Sequence, residues 1–134
     1  MNVTGPIAVL ISANATAHAL LAGRVYPGVL KQESAYPAAV VNVISNGPTN
    51  TKTQASDLDI ISVQVDVYGS TYTSVSNTAA AIRGALDYYA GTVSLTGGGT
   101  VAVRSITYNG ENDGFTEAAE IFRKIQTYTI SIEV

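Results

Sequence analysis

Three features of the chain predict an α+β fold, a mainly antiparallel β-sheet with the N-terminal helices and one longer helix packed mostly on one face. From Ile61 to Tyr68, Ile61, Val63, Val65 and Val67 alternate with Ser62, Gln64, Asp66 and Tyr68, the pattern of a strand with one apolar and one largely polar face. A slip of one residue would exchange those faces, which fixes the register. Beyond it, Val75, Ala79, Ile82, Leu86 and Tyr89 recur at spacings of three and four, an apolar stripe for a helix laid on the sheet. Finally, Thr92 to Leu95 and Val101 to Ile106 flank Gly97-Gly98-Gly99, a hairpin signal.

The remaining elements follow in chain order. Thr4-Gly5-Pro6 suits a helix start with proline in the first turn, and Ile7, Leu10 and Ile11 share a face. Asn14 can cap a second short helix, Ala15 to Ala22, which buries Leu20 and Leu21 and ends at Gly23 in a left-handed cap. Pro27 and Pro37 bracket a polar turn, Lys31 to Ser34. Pro37 to Ser45 reads as a strand with Val40, Val41, Val43 and Ile44 on both faces, stopped by Asn46-Gly47-Pro48. Gly47 to Leu58 has no periodicity and reads as a flexible loop or a long hairpin arm. Gly69 ends the alternating strand, and hydroxyls from Ser70 to Ser74 can cap the long helix, taken as Ser74 to Tyr89. Gly110 to Glu120 reads as an acidic loop. In the last strand, Ile121 to Val134, Tyr128, Ile130, Ile132 and Val134 alternate with polar residues, whereas Ile121, Phe122 and Ile125 break the phase; a twist, a bulge or a second contact surface would explain the break.

A length of 134 residues suits a single domain, 1–134. With no cysteine there is no disulfide framework or thiolate chemistry. Net charge is -3 with the seven Lys and Arg scattered, so no phosphate-binding footprint forms and no specific nucleic-acid binding is expected. Only 13% of residues are charged, against roughly 25% in ordinary soluble domains. Together with eight tyrosines, that weakly charged surface favours self-association. Pro6 to Ala22 lacks a preceding basic residue and is interrupted by Asn14, Thr16 and His18, so a cleaved signal peptide is not expected. No run approaches the ~20 apolar residues of a membrane span, and a soluble protein made in the cytoplasm is the expectation.

No catalytic constellation stands out. His18 has no cysteine or second histidine beside it, so neither a metal site nor a nucleophile's base is expected there. The three glycines are followed by no Lys-Ser/Thr, which leaves a turn rather than a phosphate cradle. Asp57 with Asp59, and Glu111 with Asp113, Glu117 and Glu120, are the closest carboxylate groups. All but Glu120 lie in loop-like sequence and read as a solvated acidic rim, with an EF-hand spacing absent and a loose divalent-ion site left open. No catalytic, cofactor or metal residue is assigned.

Several segments together resemble a known family. These are Gly23-Arg24-Val25-Tyr26-Pro27; Pro37 with Ala38 to Val43; Val63 to Tyr68 with Thr71-Tyr72 and Ala79 to Leu86; and Asp113-Gly114-Phe115 with Phe122-Arg123-Lys124. In that order they are similar to the small tail-completion or tail-terminator proteins of long-tailed bacteriophages. The chain departs from the family at Ala38-Ala39, where a bulkier aromatic is common. The resemblance implies a non-enzymatic virion protein, assembled in the host cytoplasm, that forms a homo-oligomeric, hexameric ring on the head-proximal end of the tail. It would stop growth of the tail tube and offer a head-joining surface. Its partners would be its own copies, the tail-tube protein and a head-completion or connector protein, with no cofactor, nucleic acid or membrane. Candidate contacts are Thr49, Lys52, Gln54, Asp57, Asp59, Glu111, Asp113, Phe115, Glu117 and Arg123. Two rivals remain: a tail-tube or neck protein, and, from another class, a small-molecule binding domain or enzyme accessory subunit.

Overall fold

A computed structural model describes residues 4–28, 30, 35–48, 58–95, 97–116 and 120–133. Among these the chain forms helices α1 (Thr4–Ala13) and α2 (Ala15–Leu21), strands β1 (Val25–Pro27), β2 (Ala38–Pro48) and β3 (Leu58–Gly69), helix α3 (Tyr72–Leu86), then strands β4 (Gly91–Ser94), β5 (Thr100–Thr116) and β6 (Ile121–Glu133). The strands make one six-stranded sheet in the order β1-β2-β3-β6-β5-β4. Only the β1–β2 pair is parallel; the others are antiparallel. This is the predicted α+β class.

Period-two alternation places Ile61, Val63, Val65 and Val67 of β3 on the helix-bearing face, each fully buried. They join Ile7 and Ile11 of α1, Ala17 and Leu21 of α2, and Val75, Ala79, Ile82 and Leu86 of α3 in one apolar cluster. The opposite face carries Ser62 and Gln64, with Thr127, Thr129 and Ser131 of β6 beside them. Asp66 is also on that face, yet it is buried and accepts a hydrogen bond from Gln64 Nε2 at 2.8 Å.

Local chemistry sets the helix ends. The Asn14 side chain accepts from Ala17 N at 3.0 Å, as an N-cap should. The left-handed cap expected at Gly23 falls one residue earlier, at Ala22 (φ +50°), and Gly23 continues it. Helix α3 starts at Tyr72, ahead of the expected Ser74, because the Thr71 hydroxyl takes the cap by accepting from Ser74 N at 3.2 Å. It ends at Leu86, so Tyr89 packs against the core from beyond the helix. The turn back onto the sheet needs Gly69: a Cβ there would sit 2.6 Å from Val75 Cγ2.

Arg24 explains the Gly-Arg-Val-Tyr-Pro segment. Its Nε donates to the Pro37 carbonyl at 2.9 Å, its Nη2 to Leu20 O at 3.4 Å, and its own carbonyl accepts from Ala39 N at 2.9 Å. One residue thus ties the end of α2 to the start of β2, with the short strand β1, which the alternation did not reveal, seated between them. Ala38 and Ala39 are both fully buried there.

Three expectations are corrected. Strand β2 does not stop at Asn46-Gly47-Pro48 but pairs with β3 as far as Pro48 opposite Asp59, with a bulge between Val43 and Ser45. A proline is tolerated because, among the described residues, β2 has no outer partner strand at that position. The polar turn Lys31 to Ser34, and residues 49–57 of the polar segment, lie outside the described residues. Second, the acidic stretch is not a loop: residues 110–116 belong to β5 and pair with β6. A bulge between Tyr108 and Gly110 admits them, and Gly110 fits it because its φ of +146° suits no side-chain-bearing residue. Third, β6 keeps its phase. Lys124 and Gln126 occupy the same inward positions as Tyr128, Ile130 and Ile132, so the phase continues through polar residues.

Val65→Asp is expected to unfold the protein, because a buried unpaired carboxylate costs several kcal/mol out of a typical ~5–15. Ser62→Asp, on the opposite face, should stay folded; equal thermal midpoints for the two would contradict this register. Arg24→Met should lower the urea-unfolding free energy by about 1–3 kcal/mol, the range for losing charge-assisted hydrogen bonds. An unchanged midpoint would show that the α2–β2 joint is held by other contacts.

Candidate functional site

Past the end of β4, β5 continues beside β6, which stays paired with β3 on its other side as far as Gly69 opposite Phe122, and α3 lies against the inner face of this stretch, the arm. Tyr72, Ala79 and Arg83 recur on one side of α3 at spacings of seven and four, which brings all three over the arm. On the arm, the pairs Glu111 with Gln126, Asp113 with Lys124, and Phe115 with Phe122 sit opposite one another, and alternation puts them all on the inner face.

Their polar atoms form one network. Lys124, its side chain only one-tenth exposed, donates to Glu111 Oε2 at 2.8 Å and lies 3.1 Å from Asp113 Oδ1. Buried Gln126 donates to the Ala79 carbonyl at 2.9 Å and to Glu111 Oε1 at 3.4 Å, while its Oε1 accepts from Tyr128 OH at 2.9 Å. Tyr108 OH donates to Glu111 Oε1 at 2.7 Å, and Tyr72 OH to Asp113 Oδ2 at 3.1 Å. At the far end, the Arg83 guanidinium lies 3.9 Å from the Tyr108 ring centre, and Asp87 Oδ1 accepts from Tyr108 N at 3.2 Å. Ala79's carbonyl is the only backbone group of α3 that these side-chain bonds use.

Burial pushes the Glu111 carboxyl up, but hydrogen bonds from Lys124, Tyr108 and Gln126 outweigh it and hold it below the ordinary carboxylate range. The bond to Glu111 raises Lys124 above the usual lysine range, against an opposing effect of burial. Burial, reinforced by Glu111, pushes the Tyr108 phenol up, and deeper burial pushes Tyr128 up as well. A general acid at neutral pH needs a raised carboxyl, the opposite of Glu111. Among the described residues, no three His, Asp or Glu side chains are grouped to hold a metal ion. The network's evident chemistry is to fasten the arm to α3.

At the arm's tip, Tyr72, Asp113, Gly114, Phe115 and Phe122 line an open pocket of about 300 Å³. The Phe115 and Phe122 ring centres are 4.7 Å apart, and Tyr72 meets Phe122 edge-on at 6.1 Å. A second open groove, of about 560 Å³, lies between α1 and the β4–β5 turn, bordered by Pro6, Val9 and Leu95 among others. Between helices and sheet the described core side chains form one apolar cluster.

The candidate residues read from sequence are therefore distributed. Glu111 and Asp113 converge on Lys124, and Phe115 stands beside them. Arg123 points to the other face of β6, opposite Tyr68, with its guanidinium 6.0 Å from that ring's centre. Asp59 lies on β3, paired with Pro48 and Ile132, rather than in a loop. Glu120 sits in the turn before β6 with a left-handed φ of +52°. Thr49, Lys52, Gln54, Asp57 and Glu117 lie outside the described residues. His18 is exposed on α2. Sequence reasoning names Tyr72 and Lys124 only as parts of the family segments, not as site residues, and leaves out Gln126 and Tyr108; the signal that finds Lys124 and Gln126 is the unbroken even-numbered phase of β6.

A profile of the family described as tail completion protein gp17 matches residues 6–130, nearly the whole of the fold just described. The chain belongs to that family. Its members are virion structural proteins of phage tails, not an enzyme family, and every segment that suggested the likeness lies within the match. No curated protein matches the chain in sequence. Among 27 chains of solved structures that do match, one from "Virion of native gene transfer agent (GTA) particle" superposes with a TM-score of 0.72 at 16% identity. The superposition covers 98% of this chain and 94% of the other, so the tail-completion chain shares that whole fold. No described helix is long and apolar enough to cross a membrane.

The ionic contacts give a sign for pH. Glu111, held low, stabilises the fold fully above its ordinary value of ~4.3 and stops doing so as pH falls through its lower folded value; Lys124, held high, acts below ~10.4 and fails as pH rises through its folded value. Glu111→Gln should lower stability at neutral pH by about 1 kcal/mol, given its partial exposure. In thermal melts from about pH 7 to 3, the gap between wild type and variant should close as the pH falls. A constant gap would mean that Glu111 is not the group responding.

Proposed function

We propose that this protein completes the phage tail by capping the head-proximal end of the tail tube as a ring of six copies. The cap halts tube growth and gives the head-completion or connector protein its docking surface. The observation that carries this reading is the family match along the whole fold; the arm adds the physical means. An ionic network centred on buried Lys124 and Gln126 fastens the arm to α3, while its aromatic tip remains open, an arrangement suited to meeting another protein and not to turning over a substrate. Contacts in this reading come from Asp59, Glu111, Asp113, Phe115 and Arg123, and from Thr49, Lys52, Gln54, Asp57 and Glu117 in the neighbouring segments. The weakly charged, tyrosine-rich composition supports association between copies.

Complementation of a phage deleted for this gene tests the reading. The wild-type chain should restore tails of normal length that join heads. A variant with Thr49 to Ala55 replaced by a short Gly-Ser link should fold, since loop entropy changes slowly with length, yet give tails of abnormal length or tails that stay unjoined. Deletion with no effect on tail length or joining would overturn the proposed role; full rescue by the shortened variant would move the contact surface to the arm.

A further inference from the structure

We propose that the pocket at the tip of the arm receives an arginine side chain from a partner protein of different sequence. Tyr72 and Phe115 keep about half of their surface exposed there (49% and 51%), so two of its three aromatic walls are uncovered. The faces of such rings carry negative charge density and attract cations. At the rim stands Asp113, whose side chain is 53% exposed. Its two oxygens each have one partner, Lys124 and Tyr72, which leaves roughly half of a carboxylate's acceptor sites open. Glu111, Asp113 and Lys124 together sum to one net negative charge. A cation is therefore the complementary occupant. The same chemistry is already in use from within, where the Lys124 ammonium lies 5.4 Å from the Tyr72 ring centre beside the same carboxylate.

Between the two cationic side chains, the shape selects arginine. Its flat, weakly hydrated guanidinium can stack face-on against a ring and still offer a fixed fork of N–H groups to a carboxylate, whereas a lysine ammonium meets both only as a strongly hydrated point charge. The occupant is not an arginine of this chain, in the same subunit or in a second copy, because each one is already engaged within its own subunit: Arg24 at the α2–β2 joint, Arg83 on Tyr108 and Asp87, Arg104 on Glu133 and Arg123 against Tyr68.

The inference rests on the assembly role only for the partner's being another virion protein, and it is tested without that role. The full-length protein, with its aromatic side chains isotopically labelled, is titrated by NMR with a blocked tripeptide bearing a central arginine. The expected result is a saturable shift of the Tyr72, Phe115 and Phe122 ring signals. The citrulline tripeptide, of the same shape without charge, should bind at least about threefold more weakly. Phe115→Ala and Asp113→Asn should each weaken the arginine peptide by a similar factor while leaving the β3 signals unmoved. Equal shifts with citrulline, shifts that survive both substitutions, or no shift at all would overturn the proposal. Ring shifts that depend on protein concentration without peptide would instead seat a second copy in the pocket and overturn it equally. None of these outcomes bears on complementation, which judges tail completion by itself.

Discussion

The structure depends on one constraint: strand β6 is thirteen residues long and its inner face must be covered throughout. Along its C-terminal half, Tyr128, Ile130 and Ile132 meet the apolar cluster under the helices, where burial itself supplies the driving force. Along its N-terminal half the same face presents Gln126 and Lys124, and burying those side chains is unfavourable unless every polar atom finds a partner. Glu111, Asp113, Tyr128 and the Ala79 carbonyl are those partners. Strand β5 must consequently extend far enough to bring Glu111 and Asp113 opposite them, and α3 must lie where Ala79 and Tyr72 can close the network. The bulge at Gly110, the length of the arm and the pocket at its tip all follow.

Much of this was legible in the sequence, and the failures share a cause. The alternation of β3 and the stripe of α3 from Val75 to Leu86 rest on burying apolar side chains, the hairpin rests on its glycine turn, and all three stand in the structure, with Tyr89, the stripe's last member, lying past the helix end. The arm was misread. Gly110, Asn112 and Gly114, taken with four carboxylates, look like a solvated loop because Phe115 alone is apolar among the inward positions of residues 110–116, too few to show a period. What holds those residues in a strand is pairing with β6 and an ion pair to Lys124, thirteen residues away from Glu111, and local composition carries no trace of either. Similarly, β1 escaped notice because three residues are too few for a period, and its place is set by Arg24 reaching across to Pro37.

The candidate site was legible in part. Asp113 and Phe115 were singled out through a family likeness, and the structure gives them a shared setting with Tyr72 and Phe122. Arg123, adjacent in sequence to residues of that setting, faces the other way because neighbours on a strand point to opposite sides. A family motif therefore mixes residues that act on the tip with residues that belong to the outer face, and only the register separates them. The same separation fits the proposed role: the inward half fastens the arm to α3, and its aromatic end keeps exposed surface.

The most direct measurement of this account is a cryo-electron microscopy map of the intact particle that carries the chain. The account predicts a closed ring of this fold at the head-proximal end of the tail tube, with the β5–β6 arm ordered against α3 and its aromatic tip buried against another protein. Density that places the chain elsewhere in the particle, or that leaves the tip of every copy facing solvent, would contradict it.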